Sequence, residues 1–275
     1  MHVKKIALVV EYQGTRYHGF QVQAQTPTVQ QALEEAICRF TGEQSRVLCA
    51  SRTDAGAHAL GQVVSFRTAA PYPPESFLGA LNHFLPDDIG VRQAYQIPME
   101  FDVRKKATAR EYRYLLTNRP TRSPVLRDWA HQVSKPLDVD AMAEAAGLLL
   151  GEHDFAPFAG PLTPKTANTE KRLFRAEVRR CGDRIAFRVA GNSFLHQQVR
   201  RMTGALVEVG LGKLTFDGFE ELAGCRKRGV AGPTLPACGL TLTAVRYESF
   251  PPAPGSAEEW DGQINDEYKL KNLYP

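Results

Sequence analysis

The chain of 275 residues carries a formal net charge of +4, and 43% of its residues are hydrophobic and 23% charged. This balance is typical of a soluble globular protein with a sizeable core. Because no apolar run reaches membrane-spanning length and the N-terminus lacks a signal-peptide pattern, the sequence predicts a cytoplasmic protein with no membrane partner. The five cysteines are odd in number and widely spaced, which argues against a disulfide framework and against a zinc site.

The charge is unevenly placed along the chain. Residues 249–275 contain five acids and two bases, so their net charge is −3 and the +4 of the whole chain leaves +7 for residues 1–248. Basic residues also cluster within residues 104–113, 171–180 and 226–228. Such clusters are typical of proteins that bind polyanions, and they also occur on solvated surfaces. Charge alone leaves both interpretations open.

The first third of the chain is predicted to form a strand, a helix and a second strand. Residues 6–12 and 63–66 are apolar runs of strand length. Thr28 is the predicted N-cap of the helix, and Thr28 and Gln31 have the spacing of a capping box. The predicted buried stripe of this helix comprises Val29, Leu33, Ile37 and Phe40.

Later elements continue to alternate between the two types. The pattern predicts a helix over 77–84, a strand over 112–116, a helix from Asp138 or Asp140 that stops at Gly151, a hairpin over 177–189, a helix over roughly 196–209 and a strand from Leu240.

This order of elements predicts the fold class and the domains. We expect an α+β fold of two similar subdomains, with mixed or antiparallel sheets flanked by helices. Residues 1–107 form the predicted N-terminal subdomain and residues 108–248 the C-terminal one. The proline-rich, acidic tail at residues 249–275 is predicted to be poorly ordered.

The most informative segment is the loop that carries Asp54. Small residues at positions 55–57 would let a flat ring or a foreign backbone approach the Asp54 carboxylate. Arg52 is near enough to keep this carboxylate ionised or to fill the gap left by a displaced group. A tight turn uses the same residue types for conformational reasons alone, so the loop has two interpretations.

Three other segments could contribute to a site. The glycines and aromatic residues of residues 12–23 suit contact with bases and phosphates, or a structural turn. Tyr112 and Tyr114 would share one face of a strand, where Tyr112 either serves a cleft or is a half-buried sheet residue. Arg200 lies on the polar face of its helix, which is solvent-facing by periodicity but could pair with a carboxylate across a cleft. The pair His153–Asp154 is thin evidence for a metal and is predicted to be structural.

Together these blocks resemble the tRNA pseudouridine synthase A family. The resemblance extends in order over most of the chain, and it rests on many blocks rather than on one. The matching blocks are residues 12–23, 28–30, 52–56, 62–64, 110–114, 153–155, 194–200 and 237–242.

The resemblance implies the pseudouridine synthase fold, an RNA-binding cleft between the subdomains and three catalytic residues. Asp54 would attack the target uridine, either at the base or at the ribose C1′, and the base would rotate and rejoin through carbon. Arg200 would pair with Asp54. Tyr112 would stack on the uracil and serve the later proton abstraction. The implied reaction is an isomerisation that uses no cofactor and no metal.

The resemblance also implies how the substrate is bound. Arg52 would replace the flipped base and Leu242 would pack under the site. The implied partner is the anticodon arm of tRNA, with targets at positions 38 to 40, and the implied assembly is a homodimer. The implied substrate-binding residues are Arg52, Tyr112, Arg104, Arg110 and Leu242.

One departure and three alternatives bear on this interpretation. Asp102 stands beside the expected RNA path, where it could weaken phosphate contact. A non-catalytic RNA-binding module would explain the charge but would not need Asp54. An aspartyl-phosphate hydrolase would need a second acid where Gly56 stands. A nucleotide triphosphatase is disfavoured because Leu214 follows Gly212–Lys213 where Ser or Thr is needed.

Overall fold

A mixed sheet organises residues 2–161 and 168–248, the parts of the chain that the computed structural model describes. The helices are α1 (Val29–Thr41), α2 (Pro74–Phe84), α3 (Val139–Gly147), α4 (Gln198–Gly210) and α5 (Phe216–Gly224). The strands are β1 (Lys4–Tyr12), β2 (Leu48–Cys49), β3 (His58–Thr68), β4 (Ile89–Ile97), β5 (Ala107–Asn118), β6 (His131–Val133), β7 (Gly151–Asp154), β8 (Glu170–Cys181), β9 (Arg184–Gly191) and β10 (Leu240–Tyr247).

The main path of the sheet runs in the order β4-β1-β3-β10-β5-β9-β8-β7, with β2 beside β3 and β6 beside β5. β10 pairs in parallel with β3 and antiparallel with β5, so it joins the two halves of the chain in one continuous sheet. The predicted α+β class with a mixed sheet flanked by helices is confirmed. The predicted boundary at residues 107 and 108 falls at the first residues of β5, and the division into two subdomains stays a prediction.

The N-terminal part of the sheet is covered on both faces. In β1 every residue over 6–10 is buried, so side chains that point to opposite faces of the strand are both shielded from water. Helix α2 packs on β4 with α1 beside it, and α3 and α4 pack on β8 and β5 with α5 beside them. Burial of one such Leu or Ile side chain contributes about 1.5–3 kcal/mol, so this shared core stabilises the sheet along its length.

The N-cap of α1 follows the sequence prediction, whereas two of its side chains differ from it. The Thr28 hydroxyl accepts the backbone N–H of Gln31, which confirms the predicted N-cap. The Gln31 side chain donates to Glu35 instead of completing a capping box. Phe40, predicted to be buried, is only half-buried, and its ring stacks on Tyr72 at 4.5 Å between centroids.

Two other helix boundaries also differ from expectation. Asp138 caps α3, but the helix ends at Gly147, and Gly151 opens β7 with a φ of +97°. Helix α4 begins at Gln198 rather than at His196, because Gln197 adopts a left-handed conformation that ends the preceding loop. The predicted tail at residues 249–275 lies outside the described residues. Within the described ranges, no helix is both long and apolar enough to cross a membrane.

Candidate active site

Two glycines that follow β1 lie against the loop that carries Asp54. A Cβ at Gly14 would overlap the carbonyl oxygen of Ala57, and a Cβ at Gly19 would lie 2.8 Å from the carbonyl oxygen of Thr53. Gly19 also has a φ of +90°, a conformation that favours glycine. Both glycines therefore serve close approach of the chain's own backbone, as the structural interpretation of this segment predicts.

Hydrogen bonds between buried polar groups hold the residues on either side of Asp54 in place. The Tyr12 hydroxyl lies 2.8 Å from Thr53 Oγ1. The backbone N–H of Gly14 donates to Nδ1 of His58 over 3.0 Å, so the imidazole proton is on Nε2, which donates to the carbonyl oxygen of Cys238 over 3.1 Å. Burial lowers the pKa of His58 and keeps the ring neutral. A neutral histidine therefore ties the Asp54 loop to the segment before β10.

The Asp54 carboxylate pairs with Arg200, as the family resemblance implies. Nη1 of Arg200 lies 2.8 Å from Oδ2 of Asp54, and Nε of Arg200 donates to the carbonyl oxygen of Leu235 over 2.7 Å. The face of α4 that periodicity assigns to solvent is covered here by the segment before β10. A Cβ at Gly204 would overlap the carbonyl oxygen of Pro233, so glycine permits this close packing. The packed segment aims the guanidinium at Asp54.

Tyr112 forms one wall of a small cavity of about 40 Å³ beside Asp54. Its hydroxyl lies 2.7 Å from Ser51 Oγ, and its ring meets the edge of Phe194 at 5.2 Å between centroids. The side chain is 7% exposed, and burial raises the pKa of Tyr112 to about 12. The phenol is therefore neutral near pH 7. Leu240 lines the same cavity.

The register of the central strands brings these groups together. In the sheet, Leu242 of β10 lies beside Ala59 of β3 and beside Tyr112 of β5. Because β3 begins four residues after Asp54, the Asp54 loop emerges next to Tyr112. Leu242 is fully buried, and the residue that lines the cavity is Leu240, two positions earlier. Sequence reasoning missed three residues at the site: Ser51, Phe194 and Leu240.

A basic groove of about 670 Å³ leads to this cavity. Arg52 lines both the groove and the cavity, and it is exposed. Arg104 also lines the groove and is exposed, as expected for a residue that contacts phosphates. Two further cations line the groove: Lys105, which belongs to the basic cluster at residues 104–113, and Arg46, which lies outside the clusters noted in the sequence.

Arg110 differs from the other predicted substrate-binding arginines. It is 8% exposed. Its guanidinium donates to the carbonyl oxygens of Ala50, Arg104, Ala107 and Asn192 over 2.6–3.2 Å. These bonds join the segments on three sides of the groove, so the geometry favours a positioning role. Substrate binding by Arg110 stays a prediction.

Asp102 accepts hydrogen bonds from two nearby backbone N–H groups. Its Oδ1 accepts the backbone N–H of Arg104 over 2.9 Å and that of Lys105 over 3.1 Å. The carboxylate therefore caps the turn that presents both cations to the groove. Weakened phosphate contact through Asp102 stays a prediction.

His153 and Asp154 lie on β7, with local partners of their own. Nε2 of His153 donates to the carbonyl oxygen of Leu150 over 2.6 Å, and Asp154 Oδ1 accepts the backbone N–H of Ala156 over 2.9 Å. Across residues 2–161 and 168–248, no three His, Cys, Asp or Glu side chains come together as a metal-binding group. The pair has a structural role, on a strand rather than at the predicted helix end.

The fold and the site together define a class of protein, an enzyme whose basic groove leads to a carboxylate held by an arginine. The sequence pattern of the family described as tRNA pseudouridine synthase matches residues 8–104 and 145–248. The chain belongs to this family.

Relatives named tRNA pseudouridine synthase A match over almost their whole length. The protein from Acetivibrio thermocellus is 42% identical over 246 residues, which cover 89% of this chain and 100% of the relative. The protein from Myxococcus xanthus is 42% identical over 264 residues, which cover 94% and 99%. The protein from Pseudoalteromonas atlantica is 43% identical over 248 residues, which cover 90% and 94%.

Proposed function

We propose that this protein is an isomerase that converts uridine to pseudouridine in tRNA. The observation that carries the proposal is the Asp54 carboxylate, which Arg200 holds at the end of a basic groove beside the Tyr112 cavity. In the reaction, the bond from C1′ to N1 breaks and a bond from C1′ to C5 forms. C5 loses a proton and N1 gains one, so the product has the composition of the substrate.

Asp54 acts as the nucleophile. Arg200 contacts Oδ2, which leaves Oδ1 to bond to the substrate, at the base or at the ribose C1′. The guanidinium stabilises the negative charge of the carboxylate before attack and after its release. The pair is largely buried, with 18% of the Asp54 side chain and 14% of the Arg200 side chain exposed. This shielding from water strengthens the interaction.

Tyr112 stacks on the uracil and takes part in removal of the C5 proton. Because the phenol is neutral near pH 7, it can accept that proton only as it passes its own hydroxyl proton on. Ser51 Oγ, at 2.7 Å from the Tyr112 hydroxyl, is placed to receive it and to pass a proton toward the groove. Leu242 and Leu240 close the apolar side of the site.

The substrate is the anticodon arm of tRNA, with targets at positions 38 to 40. The exposed cations of the groove bind its phosphates, and Arg52 fills the gap left by the flipped base. Flipping costs a few kcal/mol and is cheapest for loop and stem-end nucleotides, which suits these positions. We further propose that the protein works as a homodimer in the cytoplasm, as the family resemblance implies.

Release of tritium from uridine labelled at C5 tests the proposed function. A tRNA transcript with uridine at positions 38 to 40 should release tritium without added cofactor. A matched transcript with cytidine at these positions should release none. Equal release from both transcripts would contradict the proposed positions. Binding without release from any tRNA would instead support the alternative of a non-catalytic RNA-binding module.

A further inference from the structure

The two oxygens of the Asp54 carboxylate face different side chains. Arg200 contacts Oδ2 through Nη1 alone, so this ion pair by itself leaves the carboxylate free to turn about its bond to Cβ. Oδ1 faces His196, whose Nε2 lies 3.9 Å away. Within the described ranges, these two are the basic side chains that lie within 4.0 Å of the Asp54 carboxylate oxygens. Nothing in the proposed reaction above uses His196.

The structure provides a fitted place for the imidazole ring. A Cβ at Gly160 would lie 2.6 Å from Nδ1 of His196 and 2.6 Å from its carbonyl oxygen, so only glycine leaves room for the ring in this position. The backbone N–H of Gly160 donates to the carbonyl oxygen of His196 over 2.8 Å. The ring therefore has a wall behind it and Asp54 in front of it.

The two ring nitrogens have different surroundings. Nδ1 is buried and has no hydrogen-bond partner among the described residues. Nε2 faces the negative charge of Oδ1, which favours the proton on this nitrogen. The side chain is 30% exposed, and because Nδ1 is buried, the exposed edge of the ring is the one that faces Asp54. Nε2 is the atom through which His196 can act on Asp54.

The backbone next to His196 is held in an unusual conformation. Gln197 has a φ of 58° and a ψ of 8°, a left-handed conformation that residues other than glycine rarely adopt. Gln198 caps the preceding loop, since its Oε1 accepts the backbone N–H of Leu195 over 2.8 Å. Such strained residues cluster at functional sites, where the surrounding structure fixes them.

We propose that His196 is a positioning residue for Asp54, a role that rests on the proposed function. Nε2 of His196 restrains Oδ1 while Arg200 restrains Oδ2, so the plane of the carboxylate is set for attack. The distance of 3.9 Å is longer than a hydrogen bond, and such contacts commonly shorten when the substrate binds. His196 thereby affects the rate of the chemical step and leaves tRNA affinity unchanged.

Two substitutions separate hydrogen bonding from packing. His196→Gln keeps an N–H donor near the position of Nε2, whereas His196→Leu keeps a similar size without a donor. We expect His196→Leu to slow single-turnover tritium release about tenfold, with the Kd for tRNA within about twofold of wild type. His196→Gln should recover most of the rate. His83→Gln, at an exposed histidine of α2, is the matched control and should behave as wild type.

Each other outcome has a defined meaning. A wild-type rate for His196→Leu, or a Kd that rises as much as the rate falls, would overturn the role of His196. Equally slow His196→Gln and His196→Leu would show that only the shape of the ring matters, which also overturns it. If His196→Leu fails to fold, His196→Asn takes its place, because the shorter asparagine amide cannot reach Oδ1 of Asp54. Equal rates for His196→Asn and His196→Gln would then overturn the role. No release by wild-type protein would instead overturn the proposed function, and this inference with it.

Discussion

Arg104 and Arg110 stand six residues apart and use their charges in different ways. Arg104 is exposed in the groove, whereas Arg110 gives its donors to four backbone carbonyl oxygens. The sequence indicates only that both belong to a basic cluster. Which of them faces a substrate depends on segments far along the chain, such as Ala50 and Asn192, and no local pattern contains that information.

Substitution of these two arginines should therefore have separate effects. We expect Arg104→Ala to weaken tRNA binding and to lower the salt dependence of log K by about one counterion, with little change in the free energy of unfolding. Arg110→Ala removes the donor from four buried or partly buried carbonyl oxygens, so it should lower the free energy of unfolding by about 1–3 kcal/mol. Filter binding at several salt concentrations and urea unfolding measure the two quantities. The reverse pattern would show that Arg110 is the phosphate contact.

Sequence patterns predict residue roles best where the role is local. The Thr28 cap depends on neighbours three residues away, and the structure confirms it. The Asp54–Arg200 pair joins residues 146 positions apart, and it was predicted only through family resemblance. Ser51, Phe194 and Leu240 were missed because their place at the site depends on contacts between loops and strands that are far apart in the chain.

At the scale of elements, the connection from β1 to α1 and the Asp54 loop form one packed unit. The glycines of this connection permit backbone contact with the loop, and Tyr12 and His58 tie the unit to the sheet. The sequence predicts β1 and α1 well, because their hydrophobic periods are regular. The sequence does not decide whether the connection contacts RNA or forms a structural turn, because glycine suits both roles. The left-handed Gln197 likewise has no sequence signal, which explains the misplaced start of α4.

A methyl group at Gly14 should disrupt this unit. In Gly14→Ala the new Cβ would overlap the carbonyl oxygen of Ala57, so the Asp54 loop must shift. We expect at least a tenfold loss of single-turnover rate and a loss of about 1–3 kcal/mol in the free energy of unfolding. Gly79→Ala in α2 is the matched control, because a Cβ there meets nothing within 4 Å. Its stability should be unchanged or higher by up to about 1 kcal/mol. Equal effects of the two substitutions would contradict the packing argument.

At the scale of the whole molecule, β10 connects the halves of the sheet and completes the site. Its first residues lie between the strand that follows Asp54 and the strand that carries Tyr112. The sequence predicts that this strand exists, but its place at the centre of the sheet is set by long-range pairing. The fold class was therefore predictable from the order of elements, and the continuity of the sheet was not.

Buried tyrosines make the stability of the whole molecule sensitive to alkaline pH. Burial raises the pKa of six tyrosines above the ordinary value of 10.0, and for Tyr112 to about 12; the six are Tyr12, Tyr17, Tyr95, Tyr112, Tyr114 and Tyr247. Above pH 10 each ionises in the unfolded chain but stays neutral in the folded one. Its stabilising contribution, complete below pH 10, is therefore lost as the pH rises toward its folded pKa, by up to about 1.4 kcal/mol per pH unit.

Urea unfolding between pH 8 and pH 11.5 measures this loss. We expect the urea concentration at the unfolding midpoint to be constant below pH 9.5 and to fall steeply above pH 10. In Tyr114→Phe, which removes one of the six phenols, the fall should be shallower. A midpoint that stays constant up to pH 11 would show that the phenols ionise as readily in the folded protein as in the unfolded chain.

The measurement that tests the central claim most directly compares wild-type protein with Asp54→Asn in single-turnover tritium release and in tRNA binding. The amide has nearly the shape of the carboxylate but cannot act as the nucleophile. The account predicts rapid release by wild type, none by Asp54→Asn, and tRNA affinity that is retained or slightly higher, because a negative charge near phosphates has been removed. Continued release by Asp54→Asn would contradict the role of Asp54. Loss of tRNA binding together with the loss of release would contradict it as well.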